Sequence, residues 1–244
     1  TVNEKSATPK YNFICANDPV TFKFTTGFSK YNFKVNGVSN QKGVTASYVN
    51  SSLAAGDAVA VEVTNGTGCK TTFTFPAITI VPSPTGTLTV SPSATICAGT
   101  NVTFTANAGY SNYNFKVNGS PVQNGSGNTY ASTSLANGDV VTVDVTNSNS
   151  CISTFGPVNM VVNALPMGTL GISENSGVAN DDGIICTGAT VVFTAPTGFS
   201  NYNFLLNGAS IQSGASNIYT NSSLANNDKV TVAVTNGSGC IALL

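Results

Sequence analysis

The feature that most constrains this chain is a cysteine spacing that occurs three times. Three pairs of cysteines are each separated by 54 positions: Cys15 and Cys69, Cys97 and Cys151, and Cys186 and Cys240. The residues between them are nearly the same in each copy, with YNFKVNG, YNFKVNG and YNFLLNG followed by SLAAGD, SLANGD and SLANND. An internal repeat of this kind indicates an array of similar structural units. Three near-copies favour extension, avidity or mechanical bracing over a single specialised active site.

The repeat period predicts three small domains in series. The first cysteines of successive copies lie 82 and 89 positions apart, and a unit of about 80 residues is large enough for a small sandwich with its own core. We assign residues 1–82, 83–164 and 165–244 to the three repeats. The outer ends of the first and third repeats look truncated, which predicts that the chain is part of a longer array.

The middle repeat has the sequence pattern of short, half-buried β-strands. Apolar and polar residues alternate over 102–106, 113–117 and 141–145, which is the period of a strand with one buried face. Asn118-Gly119 predicts a two-residue hairpin turn, because both residue types tolerate a positive φ. A final long strand is expected from Cys151 to about Val162.

About seven short antiparallel strands per repeat, with turn residues about every 8–12 positions, predict an all-β fold. The expected architecture is three tandem immunoglobulin-like β-sandwich repeats in a head-to-tail rod. Antibody domains bury a Trp on the third strand, but this chain contains no Trp. Phe33, Phe115 and Phe204 are expected to take its place in the three cores.

Three motifs of the middle repeat, TICAG followed by VTFTA, YNFKVNG, and VTVDVTN, resemble the immunoglobulin-like and PKD-like repeats of giant surface proteins in Bacteroidota. These proteins include the adhesins that gliding flavobacteria export through the type IX system. The resemblance covers all three repeats. It implies an exported, multi-domain adhesin or stalk at the cell surface, and it implies no catalytic residues.

Composition excludes several classes of partner. Only 8% of the residues are charged and the net charge is −1, so the chain has no basic stripe for nucleic-acid phosphates or anionic lipids. No run approaches the roughly 18 apolar residues that span a bilayer, and we expect no membrane insertion by this segment. The expected partners are further repeats of the same chain, surface glycans, or other chains joined through exposed strand edges, where lysines that block such pairing are few.

The sequence predicts a protein that is not an enzyme. It contains no His, which excludes Ser-His-Asp and Cys-His catalysis and any His-ligated metal. Asp57, Asp139 and Asp228 recur at one turn position, where an Asp carboxylate habitually accepts backbone N–H groups. Binding of calcium or sugar by these carboxylates is the alternative interpretation.

An acidic insertion near 173–183 is the main departure of the third repeat from the other two. Glu174, Asp181 and Asp182 supply carboxylate oxygens of the kind that calcium prefers. The spacing does not match an EF-hand loop, and acidic Gly-rich loops are also common as exposed connectors. Calcium is the only cofactor that the sequence suggests.

Aromatic residues at equivalent loop positions are the candidates for ligand contact. Phe28, Tyr110 and Phe199 each precede a core tyrosine by three positions and could stack on a carbohydrate. Tyr31, Tyr113 and Tyr202 alternate in phase with the core Phe, so we expect them to be buried.

The six cysteines predict disulfides and an oxidising compartment. Zinc is the weaker interpretation, because the chain has neither a CxxC pair nor a His.

Strand positions favour disulfides between adjacent repeats over disulfides within them. Cys97 precedes the second strand of the middle repeat, whereas Cys151 opens the last strand at the opposite pole, about 20 Å away. A disulfide requires Cα atoms within about 7 Å of each other. The favoured pairs are Cys15–Cys151 and Cys97–Cys240, with Cys69 and Cys186 left for further neighbours. Pairing within repeats becomes the better solution if the last strand lies elsewhere in the sheet.

These observations favour an extracellular stalk or filament segment of a surface adhesin, whose role is extension and disulfide-braced rigidity. The alternative is an array of repeats that each bind a glycan weakly, with avidity supplying the affinity. An accessory region of an enzyme whose catalytic domain lies outside this segment is a third interpretation.

Overall fold

The structure is a computed structural model that describes residues 2–3, 13–177, 179–181 and 183–244. Regular secondary structure in these ranges is entirely β-strand. Within the same ranges, no helix has the length and apolar character needed to cross a bilayer.

The first two repeats supply nine equivalent strands each, and the described residues of the third supply seven of them in the same order. The first repeat contains β1 (Val2–Asn3), β2 (Phe13–Cys15), β3 (Val20–Lys23), β4 (Lys30–Val35), β5 (Val38–Gly43), β6 (Ser47–Asn50), β7 (Val59–Thr64), β8 (Lys70–Thr74) and β9 (Thr79–Val81). The second contains β10 (Leu88–Ser91), β11 (Thr95–Cys97), β12 (Val102–Ala106), β13 (Asn112–Val117), β14 (Ser120–Gly125), β15 (Thr129–Ser132), β16 (Val140–Thr146), β17 (Ile152–Asn159) and β18 (Val161–Asn163). The third contains β19 (Gly171–Glu174), β20 (Val191–Thr194), β21 (Asn201–Leu206), β22 (Ala209–Gly214), β23 (Ile218–Asn221), β24 (Val230–Thr235) and β25 (Ile241–Leu243).

Each repeat forms one three-stranded and one four-stranded sheet. The three-stranded sheets have the orders β1-β3-β6, β10-β12-β15 and β19-β20-β23. The four-stranded sheets have the orders β5-β4-β7-β8, β14-β13-β16-β17 and β22-β21-β24-β25. This arrangement is that of an immunoglobulin-like or fibronectin III-like β-sandwich. The predicted all-β fold class is therefore confirmed, whereas the head-to-tail rod stays a prediction.

The sandwich cores are built from alternate residues of the strands, as the sequence pattern predicts. Phe33, Phe115 and Phe204 have no exposed surface, and they lie opposite a buried valine of the neighbouring strand, as Phe33 does with Val61. Full burial of a Phe stabilises the folded state by about 1.5–3 kcal/mol relative to exposure. The tyrosines two positions earlier are buried as well: Tyr31, Tyr113 and Tyr202.

The predicted hairpin turn is present in the middle repeat. Asn118 and Gly119 have φ values of 51° and 79°, the left-handed conformation that a type I′ turn requires at both central positions. The turn brings β14 back alongside β13, with Val117 opposite Ser120.

The end of the middle repeat differs from the prediction of one long strand. Met160 separates β17 from β18, and its side chain is buried, with only 1% exposed. The Met160 N–H donates to the Asp139 carbonyl at 2.8 Å, and the Gly138 N–H donates to the Met160 carbonyl at 3.0 Å. Past this point β18 pairs in parallel with β11. The predictions of a single continuous strand and of purely antiparallel pairing are therefore wrong here.

The chain divides into two compact units whose limits do not follow the sequence repeats. The first unit comprises Thr1–Ser91, Thr103–Ala131 and Val140–Val158, and the second comprises Pro92–Val102, Ser132–Asp139 and Asn159–Leu244. The first unit thus holds the first repeat with most of the middle repeat, and the second holds the rest of the middle repeat with the third. The predicted domain limits at 82/83 and 164/165 stay predictions.

Candidate functional site

A disulfide joins Cys15 at the end of β2 to Cys151 just before β17. Their Cα atoms are 5.5 Å apart, within the usual range for a disulfide. Both cysteines are buried, and together with Val81 they form a small apolar cluster. Because the two positions are 136 residues apart, the bond connects the first sequence repeat covalently to the second.

The linker that follows the first sandwich is held directly beside Cys15. β2 and β9 pair in parallel, with Cys15 opposite Val81, and the Ala16 N–H donates to the Val81 carbonyl at 2.9 Å. The Ser83 hydroxyl donates to the Ala16 carbonyl at 3.1 Å. These bonds fix the linker in an extended conformation next to the disulfide.

Asn147 positions Cys151 and holds the linker at the same time. Its Oδ1 accepts the N–H groups of Asn149 at 2.9 Å and Cys151 at 3.0 Å, which closes the turn before the cysteine. Its Nδ2 donates to the Pro82 carbonyl at 2.9 Å. The Cys15–Cys151 disulfide, β2, β9 and Asn147 are called the first staple below.

The second staple has the same construction one repeat further on. Cys97 and Cys240 form a disulfide with Cα atoms 5.6 Å apart and a sequence separation of 143. The Ala98 N–H donates to the Asn163 carbonyl at 2.9 Å. Asn236 accepts the Cys240 N–H at 3.0 Å and donates to the carbonyl of residue 164 at 2.9 Å. The second staple is the Cys97–Cys240 disulfide with β11, β18 and Asn236.

These disulfides are the two inter-repeat pairs that the strand positions favour. Cys69 and Cys186 carry free, exposed thiols, so the alternative pairing of Cys15 with Cys69 or of Cys186 with Cys240 does not occur in the structure.

Asn147 and Asn236 are the functional residues that sequence reasoning did not single out. The signal was present, because an Asn follows the Val-Thr end of the same strand in every repeat, at 65, 147 and 236. An Asn in a turn is expected to accept backbone N–H groups. Its second bond, to a linker distant in sequence, has no local signature.

The recurring aspartates stabilise their turns. Asp57 Oδ2 accepts the Ala54 N–H at 2.8 Å, and Oδ1 accepts from the Asn36 amide at 2.7 Å. The hydrogen bond from Ala54, followed by the one from Asn36, lowers the pKa of the Asp57 carboxyl below its usual value. Equivalent bonds lower the pKa of Asp228. Asp139 also accepts the N–H of the residue three positions earlier, at 2.8 Å.

The acidic insertion uses its carboxylates largely within its own loop. Glu174 is only 4% exposed, and its Oε2 accepts from the Ser176 N–H at 2.8 Å and from the Ser176 hydroxyl at 3.1 Å. Asp181 Oδ1 accepts the Glu174 N–H at 2.9 Å. Glu174 Oε1 is buried and has no hydrogen-bond partner among the residues that the structure describes. Asp182 lies outside the described residues, and the described residues contain no group of three or more acidic, Cys or His side chains able to hold a metal. Calcium binding here stays a prediction.

The candidate ligand-contact aromatics are half-buried. Each lies against the tyrosine three positions later, with ring centroids 6.0–6.3 Å apart: Phe28 on Tyr31, Tyr110 on Tyr113, and Phe199 on Tyr202. The Tyr110 hydroxyl also donates to the Thr85 carbonyl at 2.6 Å and accepts the Thr85 N–H at 3.1 Å. These contacts give the aromatics a packing role, and stacking on a carbohydrate stays a prediction.

No protein-family model matches the sequence, and no curated protein matches it. Among solved structures, the chain is similar to fibronectin(III)-like modules of Clostridium thermocellum CbhA, with 16% identity, a TM-score of 0.35, and coverage of 67% of this chain and 95% of that chain. It is also similar to a 1.5-MDa bacterial ice-binding adhesin, with 14% identity, a TM-score of 0.34, and coverage of 100% and 95%. The central fibronectin-III array of RIM-binding protein gives 14% identity, a TM-score of 0.23, and coverage of 99% and 95%.

Identities and TM-scores this low carry no argument about function. The strand order and the two staples define the class of the protein by themselves. It is a tandem array of immunoglobulin-like β-sandwiches in which disulfides connect successive sequence repeats.

Proposed function

We propose that this chain is a structural and adhesive segment of an exported cell-surface repeat protein, such as the stalk or filament of a Bacteroidota adhesin. The observation that carries the proposal is that both disulfides join residues of successive repeats. Disulfides within repeats would stabilise each sandwich separately, whereas these bonds brace the connection from one repeat to the next.

The hydrogen bonds around each disulfide support the same role. In the first staple, the linker residues Val81 and Pro82 are bonded both to the repeat that they leave, through Ala16, and to the next repeat, through Asn147. A free linker would instead gain conformational entropy and allow neighbouring repeats to reorient. The staples therefore suit a segment that must transmit load along the chain.

Two properties support an extracellular location. Structural disulfides persist in oxidising environments such as the cell surface. Only 8% of the residues are charged, so the surfaces of the sandwiches are nearly neutral. They produce no strong electrostatic field that would attract nucleic acid or anionic lipid.

Peptide mapping of the unreduced protein by mass spectrometry tests the proposal. Cleavage between the repeats and also between Cys97 and Cys151 should release two disulfide-linked species, one containing Cys15 with Cys151 and the other Cys97 with Cys240, and reduction should separate each into its peptides. Peptides linking Cys97 to Cys151 would contradict the bracing role.

A glycan-retention assay separates this function from that of a glycan-binding array. A spacer should show no saturable retention on a panel of immobilised glycans. Retention that falls as repeats are removed would favour the binding array instead, because avidity depends on the number of sites.

A further inference from the structure

A groove of about 490 Å³ opens at one end of the third sandwich. Its apolar walls include Phe193, Leu224 and Val230, and its rim includes Cys186, Asn226 and Asp228. All of these residues belong to the second compact unit.

The groove exposes core positions that the first two repeats cover. Phe193 is 7% exposed, whereas Phe22 and Phe104 have no exposed surface. Three more apolar residues are half-buried in the third repeat, whereas the equivalent residues of the first two repeats are buried. They are Ile185 (equivalent to Ile14 and Ile96), Leu224 (equivalent to Leu53 and Leu135) and Val230 (equivalent to Val59 and Val141). This end of the third core is therefore more exposed than the same end of the first two cores, which a further element covers.

In the first two repeats the covering element is the linker of the same repeat. Ile78 and Met160, which follow the second cysteine of their repeats by nine positions, are 7% and 1% exposed, and Ile78 belongs to the core cluster of the first sandwich. The next residues form β9 and β18, which pair in parallel with the strands that end at the first cysteine. Each linker thus inserts one apolar side chain and adds one short strand.

The third repeat retains the polar groups that hold such a linker in the second. In the second repeat, Asn137 Oδ1 accepts the Val162 N–H at 3.1 Å, and Gly138 and Asp139 bond the backbone of Met160. The equivalent positions in the third repeat are Asn226, Asn227 and Asp228, and all three line the groove.

A backbone N–H group at the rim of the groove also has no acceptor among the described residues, whereas the equivalent N–H groups of the first two repeats each donate to a linker carbonyl. The Ala16 and Ala98 N–H groups donate to linker carbonyls at 2.9 Å. Thr187 occupies the equivalent position after Cys186, and its N–H makes no hydrogen bond among the described residues. In the same part of the chain, residues 184–186 are not in a strand.

We propose that this groove binds an extended peptide segment of the linker type. An apolar side chain enters between Leu224 and Val230, and the following residues pair in parallel with residues 184–186, so that a carbonyl accepts the Thr187 N–H. Asn159–Asn163 of the second repeat, NMVVN, is the prototype of this ligand. Recognition is by strand addition, in which backbone bonds supply affinity and the side-chain pocket supplies specificity. The inference concerns what the third repeat binds, and it does not depend on the proposed function of the array.

The first experiment supplies the segment in cis. Because 241–244 align with 152–155, the eight residues GPVNMVVN are added after Leu244 of the full chain, in the register of 156–163. The expected result is slower hydrogen exchange at the Thr187 and Asn227 amides, by at least about tenfold, because both become hydrogen-bonded. The matched control carries Asp in place of the Met of the added segment. Equal exchange rates at these amides in the two proteins would overturn the proposal.

The second experiment supplies the segment in trans to the unmodified chain. The peptide VNMVVNAL should protect the same two amides saturably, whereas a peptide with Asp in place of Met should not. The Ala98 and Gly138 amides of the already filled second repeat are internal controls and should not change. Protection that rises with protein concentration in the absence of peptide would show that a second copy of the chain covers the groove, and this would overturn the proposal.

Discussion

At the scale of single residues, Asn147 has two separate functions in one side chain. Its carbonyl oxygen closes the turn before Cys151, and its amide nitrogen holds the Pro82 carbonyl of the linker. Asn65 occupies the same position in the first repeat and closes the same turn, accepting the N–H groups of Thr67 at 3.0 Å and Cys69 at 2.9 Å. Because its Nδ2 makes no bond among the described residues, Asn65 provides a natural reference.

Replacing Asn147 by Asp should isolate the linker bond. The substitution keeps the oxygen acceptor of the turn but removes the donor to Pro82, and it places a carboxylate beside that carbonyl. We expect Asn147→Asp to lower the free energy of unfolding by about 0.5–1.5 kcal/mol more than Asn65→Asp does, because the hydrogen bond to the linker is lost. Urea denaturation of both variants measures the difference. Equal losses would mean that the linker bond contributes nothing.

The turn aspartates predict a contribution to stability that depends on pH. Hydrogen bonds to the carboxylate lower the folded-state pKa of Asp57 below its unfolded value, so the folded state favours the ionised form. The resulting stability is fully present above the unfolded pKa of about 4 and is lost as pH falls through the folded pKa. In thermal melts from pH 7 to pH 2, Asp57→Asn should show a smaller loss of Tm below about pH 4 than the unmodified protein. Parallel Tm curves would contradict this assignment.

At the scale of elements, the linker is a part of the fold and is more than a connection. Met160 lies between the end of β17 at Asn159 and the start of β18 at Val161, and its side chain is buried. Ile78 is its equivalent in the first repeat. Because an apolar residue is buried at this point, the packing of the sandwich and the direction in which the linker leaves it depend on each other.

Truncation of Met160 should therefore destabilise the protein strongly. We expect Met160→Ala to lower the free energy of unfolding by about 2–4 kcal/mol, because it leaves a cavity at a position that is 1% exposed. The control is Val122→Ala at a strand position that is 45% exposed, where the loss should be within about 0.5 kcal/mol. Guanidinium denaturation distinguishes the two variants, and similar midpoints would show that the linker packs only loosely.

The strands, turns and linkers also show how much of this fold could be predicted from the sequence. Alternation over 113–117 and the Asn118-Gly119 turn are local signals, so the strands, the buried Phe115 and the hairpin could all be predicted. The disulfide pairs could be favoured from the inferred strand order, which places Cys97 and Cys151 at opposite poles of one sandwich, about the length of a strand apart, and pairing within repeats would have followed from a different strand order. The parallel pairing of β11 with β18 could not be predicted, because a three-residue strand carries no periodicity and its partner is distant in sequence.

At the scale of the whole molecule, the two disulfides enclose overlapping loops. The first closes the chain from Cys15 to Cys151, the second closes it from Cys97 to Cys240, and residues 97–151 belong to both. The shortest covalent route from Cys15 to Cys240 therefore crosses both disulfides and the 54 residues between Cys97 and Cys151, whereas the polypeptide between Cys15 and Cys240 contains 225.

Single-molecule stretching should detect this shortcut. With both ends of the protein held, full unfolding should extend the part between Cys15 and Cys240 to only about 190–210 Å, against about 740–810 Å after reduction, since an extended chain spans about 3.3–3.6 Å per residue and each disulfide adds about 6 Å between Cα atoms. A force-extension curve with and without reducing agent measures both lengths. The same extension in both conditions would contradict the disulfide assignment.

Cysteine variants refine this test. Cys97→Ser leaves the route through Cys151, which is 89 residues long, and Cys15→Ser leaves the route of 82 residues through Cys97. Both single variants should thus extend about 90–120 Å further than the intact protein, because the route through two disulfides is lost, and only the double variant should reach the full length. Extension of either single variant to the full length would show that the remaining disulfide is absent or paired differently.

The overlap of the two loops also determines what happens when a protease cuts the protein. Every stretch of backbone between Cys15 and Cys240 has a second covalent path around it, through one disulfide or both. One cleavage anywhere in this region, even within a sandwich, leaves the two ends of the protein joined, and a second cleavage at a suitable place is needed to release a fragment. An array built in this way tolerates a single proteolytic cut that would sever an ordinary string of domains at the first exposed loop.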